Sequence, residues 1–284
     1  RQSLFINTKI IITKEMTEND IVNEIIGCHR RIDSGYIDCL QMHMAGSVEE
    51  ICNPAFRRAV RKLKRQGIIH FCGVSCHGQS WYSESIPMDQ VLDAAIDEGF
   101  FDIFLLVYNF VQRDMAEYIF KRCIKKDIGI TIMKTNPFGG LYSTLKGTME
   151  EYVTEGKELP DWLKKIHDRT ILKQEKAIPF LKKYGLENES DIRDASLRFV
   201  LDNPSAHSVM LTFQNSSDID DYIRLSGQHF EYKDQLGLSA CNEIFGGFYC
   251  RHACGICEPA CPYKVPVNTI MRYNHYFLTL KMEK

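Results

Sequence analysis

The chain is short of net charge: 35 Lys and Arg stand against 37 Asp and Glu, for a formal net charge of −2 over 284 residues. A near-neutral balance argues against nucleic acid as the main partner, because phosphate binding is carried by a basic excess. The one basic stretch, Arg57 to Arg65, is expected on a helix as a solvated face. Long apolar runs are missing as well. Phe101 to Val111 is too short to cross a bilayer and suits a buried strand, so no membrane span is expected. No signal-peptide pattern opens the chain, which begins Arg1-Gln2-Ser3 without Met. Internal repeats and low-complexity segments are absent, which excludes solenoids and disordered linkers. A paired cysteine framework is absent too. Seven of the eleven cysteines (Cys28, Cys39, Cys52, Cys72, Cys76, Cys123 and Cys241) are scattered, as expected of reduced, buried thiols in a reducing compartment, the cytoplasm.

Present instead is an alternation of short apolar runs and helix-like segments from residue 3 to about 230. Strands are expected at Ser3–Lys9, Tyr36–His43, Ile68–Ser75, Phe101–Tyr108, Gly129–Met133 and Ser208–Phe213. Between them lie helices over Thr17–Arg31, from Asn53-Pro54 to about Gly67, and over Pro87–Asp97, Asp114–Lys126, Asp191–Asp202 and Ser217–Leu225. Thr17 with Asp20, and Asn53 followed by Pro54, are start signals; Gly99 is a stop. Strands alternating with helices mean βαβ units and a parallel sheet. Residues 237–284, rich in Cys, Gly and aromatics, lack this rhythm and are expected to form a separate small module after a domain spanning 1–236.

That module carries Cys250-Arg-His-Ala-Cys254-Gly-Ile-Cys257-Glu-Pro-Ala-Cys261-Pro262. Four thiols in twelve positions, closed by Cys-Pro, come close to the bacterial ferredoxin run for a [4Fe–4S] cluster, with one extra residue in the first gap. Zinc also takes thiolates, but structural zinc sites split their ligands into two separated pairs. The fourth cluster ligand is Cys261 or, in reserve, Cys241. Pro266, Val267 and Asn268 lead into a helix whose Tyr273, Tyr276 and Phe277 would pack the module onto the larger domain.

Polar residues recur where strands stop: Lys9, His43, Ser75 with His77, Tyr108 with Asn109, and Lys134. In a parallel barrel these ends converge on one face. A Lys and a His gathered there would polarise a carbonyl. Lys14 competes with Lys9 as the lysine of such a pocket.

Ser3-Leu-Phe-Ile-Asn-Thr-Lys9, Tyr36-Ile-Asp-Cys-Leu-Gln-Met-His43, Gly73-Val-Ser-Cys-His77, Tyr108-Asn109 and Met133-Lys-Thr-Asn-Pro-Phe-Gly-Gly140 follow in that order. Together they resemble the aldo/keto reductase superfamily, and the cysteine tail resembles its iron–sulfur branch. The resemblance implies an α/β fold: a TIM-type (β/α) barrel represented by six of its eight strands, followed by a ferredoxin-like [4Fe–4S] module. It implies hydride transfer between NAD(P)H and a small carbonyl or alcohol. Lys9 and His43 take the family's catalytic Lys and His positions. The family's catalytic Asp and Tyr belong to the two βα units ahead of the Lys strand, and this sequence begins at the third strand. Ser75, Tyr108, Lys134, Gly139, Gly140, Gln214 and Asn215 fall at cofactor-contacting positions, with Cys76 where the family has Asn. A hydride carries two electrons and a single cluster one, so coupling them calls for a flavin or another cluster; the cluster is then a relay to a redox partner protein, or purely structural. Two readings compete with the enzyme: a non-catalytic barrel whose cluster serves electron relay or structure, and a zinc-stapled interaction protein.

Overall fold

The computed structural model describes the chain apart from residues 1–2, 78–85, 138–140, 166–167, 169–178, 180, 214–215, 246–249, 252–253 and 281–284, and apart from the side chains of 141–146, 244–245 and 275–280. Six strands form one sheet in chain order, every pair parallel: β1 (Asn7–Ile10), β2 (Ile37–Met42), β3 (Ile69–Cys76), β4 (Ile103–Val107), β5 (Gly129–Met133) and β6 (Ser208–Val209). The connecting helices include α1 (Glu18–Ile32), α2 (Val48–Ile51), α3 (Pro54–Arg65), α4 (Met88–Glu98), α5 (Asp114–Lys125) and α6 (Leu141–Thr154). Further helices span Glu189–Leu201, Ser217–Ile223, Tyr232–Phe245 and Val267–Leu280.

Local chemistry sets the boundaries. Thr17 caps α1 in a capping box with Asp20, and Asp33 ends the helix in the left-handed region. Asn53 caps α3 and Pro54 opens its first turn. Asn188 and Asp191 repeat the capping box at the start of the Glu189–Leu201 helix. Gly99, with φ +57, ends α4. After α5 the left-handed residue is Asp127, and Gly129 already belongs to β5. The last strand is shorter than the apolar run 208–213 suggests, because only Ser208 and Val209 pair with β5.

The core packs between sheet and helices. Leu40, Met42, Val74, Phe104 and Leu106 are fully buried against apolar faces of α1, α3, α4 and α5 such as Ile21, Leu63, Leu92 and Ile119. The basic face of α3 is tied down by ion pairs: Arg57 with Glu98, Arg58 with Glu18, and Lys64 with Asp102. On the other side of the sheet the strands crowd together. A Cβ on Gly73 would lie 2.7 Å from Ile103 O and 2.8 Å from Gln41 Cγ. Glycine is required there by space, since nothing larger fits between β2 and β4.

The expected division at 236/237 falls inside the continuous Tyr232–Phe245 helix. That helix packs against the Glu189–Leu201 helix, and Gly237 seats against Leu186 and Tyr184. The chain's helical path runs on to Phe245.

Gly73→Ala forces backbone or Gln41 to shift, and over-packing of this kind costs about 1–3 kcal/mol. The variant is expected to unfold at a clearly lower urea midpoint with an unchanged slope; an unaltered midpoint would contradict the close approach of β2 and β4.

Candidate active site

Period-two alternation decides which strand residues share a face. On β2, Cys39, Gln41 and His43 alternate together; on β3, Gly73, Ser75 and His77 do so and meet them, as the neighbours of Gly73 show. At the carboxyl ends this face gathers Lys9, His43, His77 and Lys134. The His43 and His77 rings meet edge to face at 5.3 Å. Lys9 Nζ reaches Met210 Sδ, just beyond β6, at 3.8 Å. A side chain of the first strand therefore touches a residue after the sixth, and the sheet is curled into an arc whose strand ends converge. Lys14 is out of contention: it pairs with Glu49 at 2.7 Å on the surface.

The electrostatics are one-sided. Burial and then Lys134 lower the pKa of Lys9. Burial and then Lys9 lower that of His43. Burial, followed by His43, Lys134 and Lys9, drives His77 down to about 3. Both imidazoles are thus neutral at pH 7. His77 Nε2 is buried with no hydrogen-bond partner among the described residues. Ser75 is fully buried; its Oγ accepts the Met44 N–H at 3.0 Å and its carbonyl accepts the Ala45 N–H at 2.9 Å. That arrangement leaves the hydroxyl proton for another acceptor.

Lys134 sits at the end of β5 with φ +59, a conformation uncommon for a residue with a side chain. Fully buried Asn109 holds it there, donating from Nδ2 to Lys134 O at 2.9 Å while Oδ1 accepts the N–H groups of Val111 and Gln112.

Tyr108 corrects an expectation. Its side chain faces the helices and is stacked on Phe199 at 5.3 Å and edge-on to Phe120 at 5.1 Å. Its hydroxyl donates to Glu117 Oε1 and accepts from Asn203 Nδ2. The residue lines a cleft of about 550 Å³ on the helical side together with Phe110, Phe199 and Phe230, away from Lys9 and His43. Tyr36, stacked on His70, lies at the opposite end of β2. Gly139, Gly140, Gln214 and Asn215 lie outside the described residues. His77 is the residue that the sequence places at a strand end without a role; its spacing of two from Ser75 was the signal.

All eleven cysteines are free. Cys241 is fully buried among Leu181, Leu186, Ala195 and Leu238, and burial pushes its thiol up to about 12. It is a core thiol, which removes it as the reserve ligand. Around the other four the chain turns sharply, with Gly255 at φ +58 and Lys264 at φ +50. Cys250 Sγ accepts Asn268 Nδ2–H at 3.1 Å, and Cys261 Sγ accepts the Val265 N–H at 3.5 Å. Asn268, 2% exposed, stands in the first turn of the Val267–Leu280 helix and also donates to Arg251 O. N–H donors aimed at sulfur and a helix N-terminus suit an anionic thiolate-bound group. Among the described residues no three His, Cys, Asp or Glu side chains are close enough to hold a single metal ion. The segment is joined to the sheet's carboxyl-end face through the Arg251–Asp114 ion pair at the start of α5. Its helix packs on α6.

Residues 1–237 match the profile of the Aldo/keto reductase family. No curated protein matches the chain. Among solved structures, the holo form of aldo-keto reductase AKR11C1 from Bacillus halodurans is similar over 84% of this chain and 72% of its own, with a TM-score of 0.53 at 14% identity. PA4992 of Pseudomonas aeruginosa is similar over 81% and 67%, with a TM-score of 0.52 at 13% identity. The thermostable aldo-keto reductase Tm1743 covers 84% and 72%, with a TM-score of 0.51 at 17% identity. Likeness at these identities speaks for the fold: six parallel strands that match those barrels. No described helix is long and apolar enough to cross a membrane.

Because the folded pKa of His77 lies far below the ordinary imidazole value of about 6.5, the unfolded chain takes up this proton first. The resulting loss of stability is absent above pH ~6.5 and grows as pH falls toward the folded pKa; from pH 7 to 5 it amounts to about 2 kcal/mol. His77→Gln is expected to flatten that part of the stability–pH curve in urea unfolding, with His43, Lys9 and Lys134 still in place. An unchanged slope would show that His77 is not held neutral.

Proposed function

Since the chain belongs to the aldo/keto reductase family, we propose that it is a nicotinamide-dependent oxidoreductase of that family's iron–sulfur branch, interconverting a small carbonyl compound and its alcohol. The observation that carries this reading is the convergence of Lys9, His43, His77 and Lys134 at the carboxyl ends of the strands. Family members typically use NAD(P)H, which supplies the hydride when bound. Fully buried Ser75, with its hydroxyl proton uncommitted to Met44, and the Lys134 turn are the described residues that would hold the nicotinamide end. Gly139, Gly140, Gln214 and Asn215 are assigned to the phosphates and adenosine on the sequence pattern alone.

Reduction adds a hydride to the carbonyl carbon and a proton to its oxygen. As negative charge grows on that oxygen, the Lys9 ammonium stabilises it in a partly buried setting, where the interaction is stronger than in water. Neutral His43 donates one N–H to the same oxygen and fixes its orientation. Neither Tyr36 nor Tyr108 is placed to deliver the proton, by the geometry above; in this reading it comes from the Lys9 ammonium, whose pKa burial lowers, and is replaced from solvent.

The second domain of this reading is the cysteine segment. Cys250, Cys254, Cys257 and Cys261 would hold a [4Fe–4S] cluster, which carries single electrons. Soft thiolates and the N–H donors of Asn268 and Val265 support the assignment. A zinc tetrahedron would need sulfurs about 3.8 Å apart, from a Zn–S distance of about 2.3 Å. The Arg251–Asp114 pair, which ties the segment to the start of α5, supports a relay role for the cluster toward a redox partner, with a flavin or a second cluster needed to split the electron pair of a hydride.

Anaerobically purified protein is expected to be brown, with absorption near ~400 nm that bleaches on reduction, and Cys254→Ser to lose it. Colourless protein with one zinc would refute the cluster. Lys9→Met is expected to lower kcat/KM for aldehyde reduction by about 10²–10³-fold, and protein that neither binds nor oxidises NADH or NADPH would refute the reductase.

A further inference from the structure

We infer that Gln41 is a positioning residue for the strand-end site, its Oε1 accepting from the Lys9 ammonium and its Nε2 donating to one ring nitrogen of His43. The two contacts rest on the fold; their use in carbonyl reduction rests on the oxidoreductase reading above.

Gln41 stands where a strand of this kind has no structural need of an amide. β2 is buried along most of its length, and Gln41 is fully buried between Leu40 and Met42. Both Oε1 and Nε2 are buried with no hydrogen-bond partner among the described residues. A buried amide with neither end paired is destabilising, and an apolar side chain of similar size would avoid the cost.

The register shows what lies beside it. Gln41 pairs with Lys9 across β1 and β2, and with Gly73 across β2 and β3. Paired residues of a sheet share a face, and so do residues two apart on one strand, so Lys9 is its neighbour on one side and His43 lies directly beyond it. The missing side chain at Gly73 leaves the space that Gln41 Cγ occupies, 2.8 Å from where a Cβ would stand. The amide thus starts from a fixed stem, one rung below His43.

The site groups lack what this amide carries. An ammonium has three N–H donors. Among the described residues the Lys9 ammonium reaches one acceptor, the weakly accepting Met210 Sδ at 3.8 Å. His43 meets His77 edge to face and makes no side-chain hydrogen bond among the described residues. A neutral imidazole has one acceptor nitrogen and one N–H, and the hydrogen bond made at one nitrogen fixes the tautomer. An amide accepts at one end and donates at the other. With Cγ kept over Gly73, rotation about the outer torsions of Gln41 satisfies both ends at once. Oε1 then holds Nζ at the strand ends. Nε2 fills the acceptor nitrogen of His43, so the other nitrogen carries the N–H that meets the carbonyl oxygen. A carboxylate here could only accept, and a leucine could do neither.

NMR on the full chain tests this. The 13Cε shift of Lys9, assigned by its loss in Lys9→Met, is followed through a pH titration, and the 15N shifts of the His43 ring report its tautomer. Gln41→Leu is expected to lower the Lys9 pKa by about one unit, since a hydrogen bond to the charged form is lost, and to leave His43 in a mixture of tautomers. Gln41→Glu is expected to raise the Lys9 pKa and to turn the His43 tautomer over. A Gln41→Leu variant with a higher urea midpoint and with Lys9 and His43 both unmoved overturns the proposal. A shift at Lys9 alone overturns it as well, because a less polar neighbour would produce that without any contact. If Gln41→Leu does not fold, Gln41→Met carries the same measurements. NADPH oxidation with a small aldehyde is followed in parallel, where Gln41→Leu is expected to lower kcat about tenfold with KM for NADPH unchanged. Wild-type protein that gives the NMR responses but oxidises no NADPH would keep the contacts and remove the reductase reading. Active wild-type protein with Lys9 and His43 indifferent to Gln41→Leu would do the reverse.

Discussion

Parallel pairing is the constraint on which everything else depends. A parallel ladder cannot be closed by a tight turn, so each strand of this sheet returns through a helix and enters from the same side. All six carboxyl ends then lie on one face. Polar residues placed immediately after apolar runs are brought together without any contact between them in sequence, and 201 residues separate Lys9 from Met210, which it touches. The helices on the outer face bury the sheet, and the crowded inner face accepts glycine at position 73 because no Cβ fits.

The same arrangement explains why the site is electrostatically expensive. The scaffold neutralises its basic residues with carboxylates at the helix surfaces, yet concentrates four basic groups where the strands end. Both histidines are kept neutral by burial and by their neighbours. Neutral imidazoles near pH 7 are suited to hydrogen-bonding a carbonyl, and the lysines provide the charge. The Asn109 side chain braces the same region: one buried amide holds the Lys134 turn, with its left-handed backbone, in register with its neighbours.

The cysteine segment is tied to this face from outside. Arg251 pairs with Asp114 at the mouth of α5, and the Val267–Leu280 helix lies along α6. Its first turn supplies the Asn268 side chain to Cys250 and Arg251. Fully buried Cys241 shows the other use of cysteine in this chain, a small apolar residue in a secondary core around Leu181 and Leu186. The thiols of this chain thus occupy two settings, one sealed in a core and one partly open and reached by N–H donors.

Much of the fold was legible in the sequence, because the signals are local. Capping at Thr17 and Asn53 and the stop at Gly99 fix helix ends within a residue or two, and the apolar runs do the same for the inner strands, whereas the two outer strands are shorter than their runs, beginning at Asn7 instead of Ser3 and ending at Val209 instead of Phe213. Lys9 and His43 were legible for the same reason, as polar ends of apolar strands. Facing was not. The run Ile103–Val107 is apolar throughout, so no alternation reveals which residues turn inward; Tyr108, one step beyond, falls on the helical side. On β3 the spacing of two between Ser75 and His77 did carry that information. Chain composition marks a change at residue 237, but helix packing against Leu186 carries the fold past it. What the sequence by itself determined is therefore the order of elements and the chemistry available at their ends, which depend on near neighbours. Only the tertiary structure decided which ends meet and which side each residue faces, because curvature and packing are properties of strands far apart in the chain.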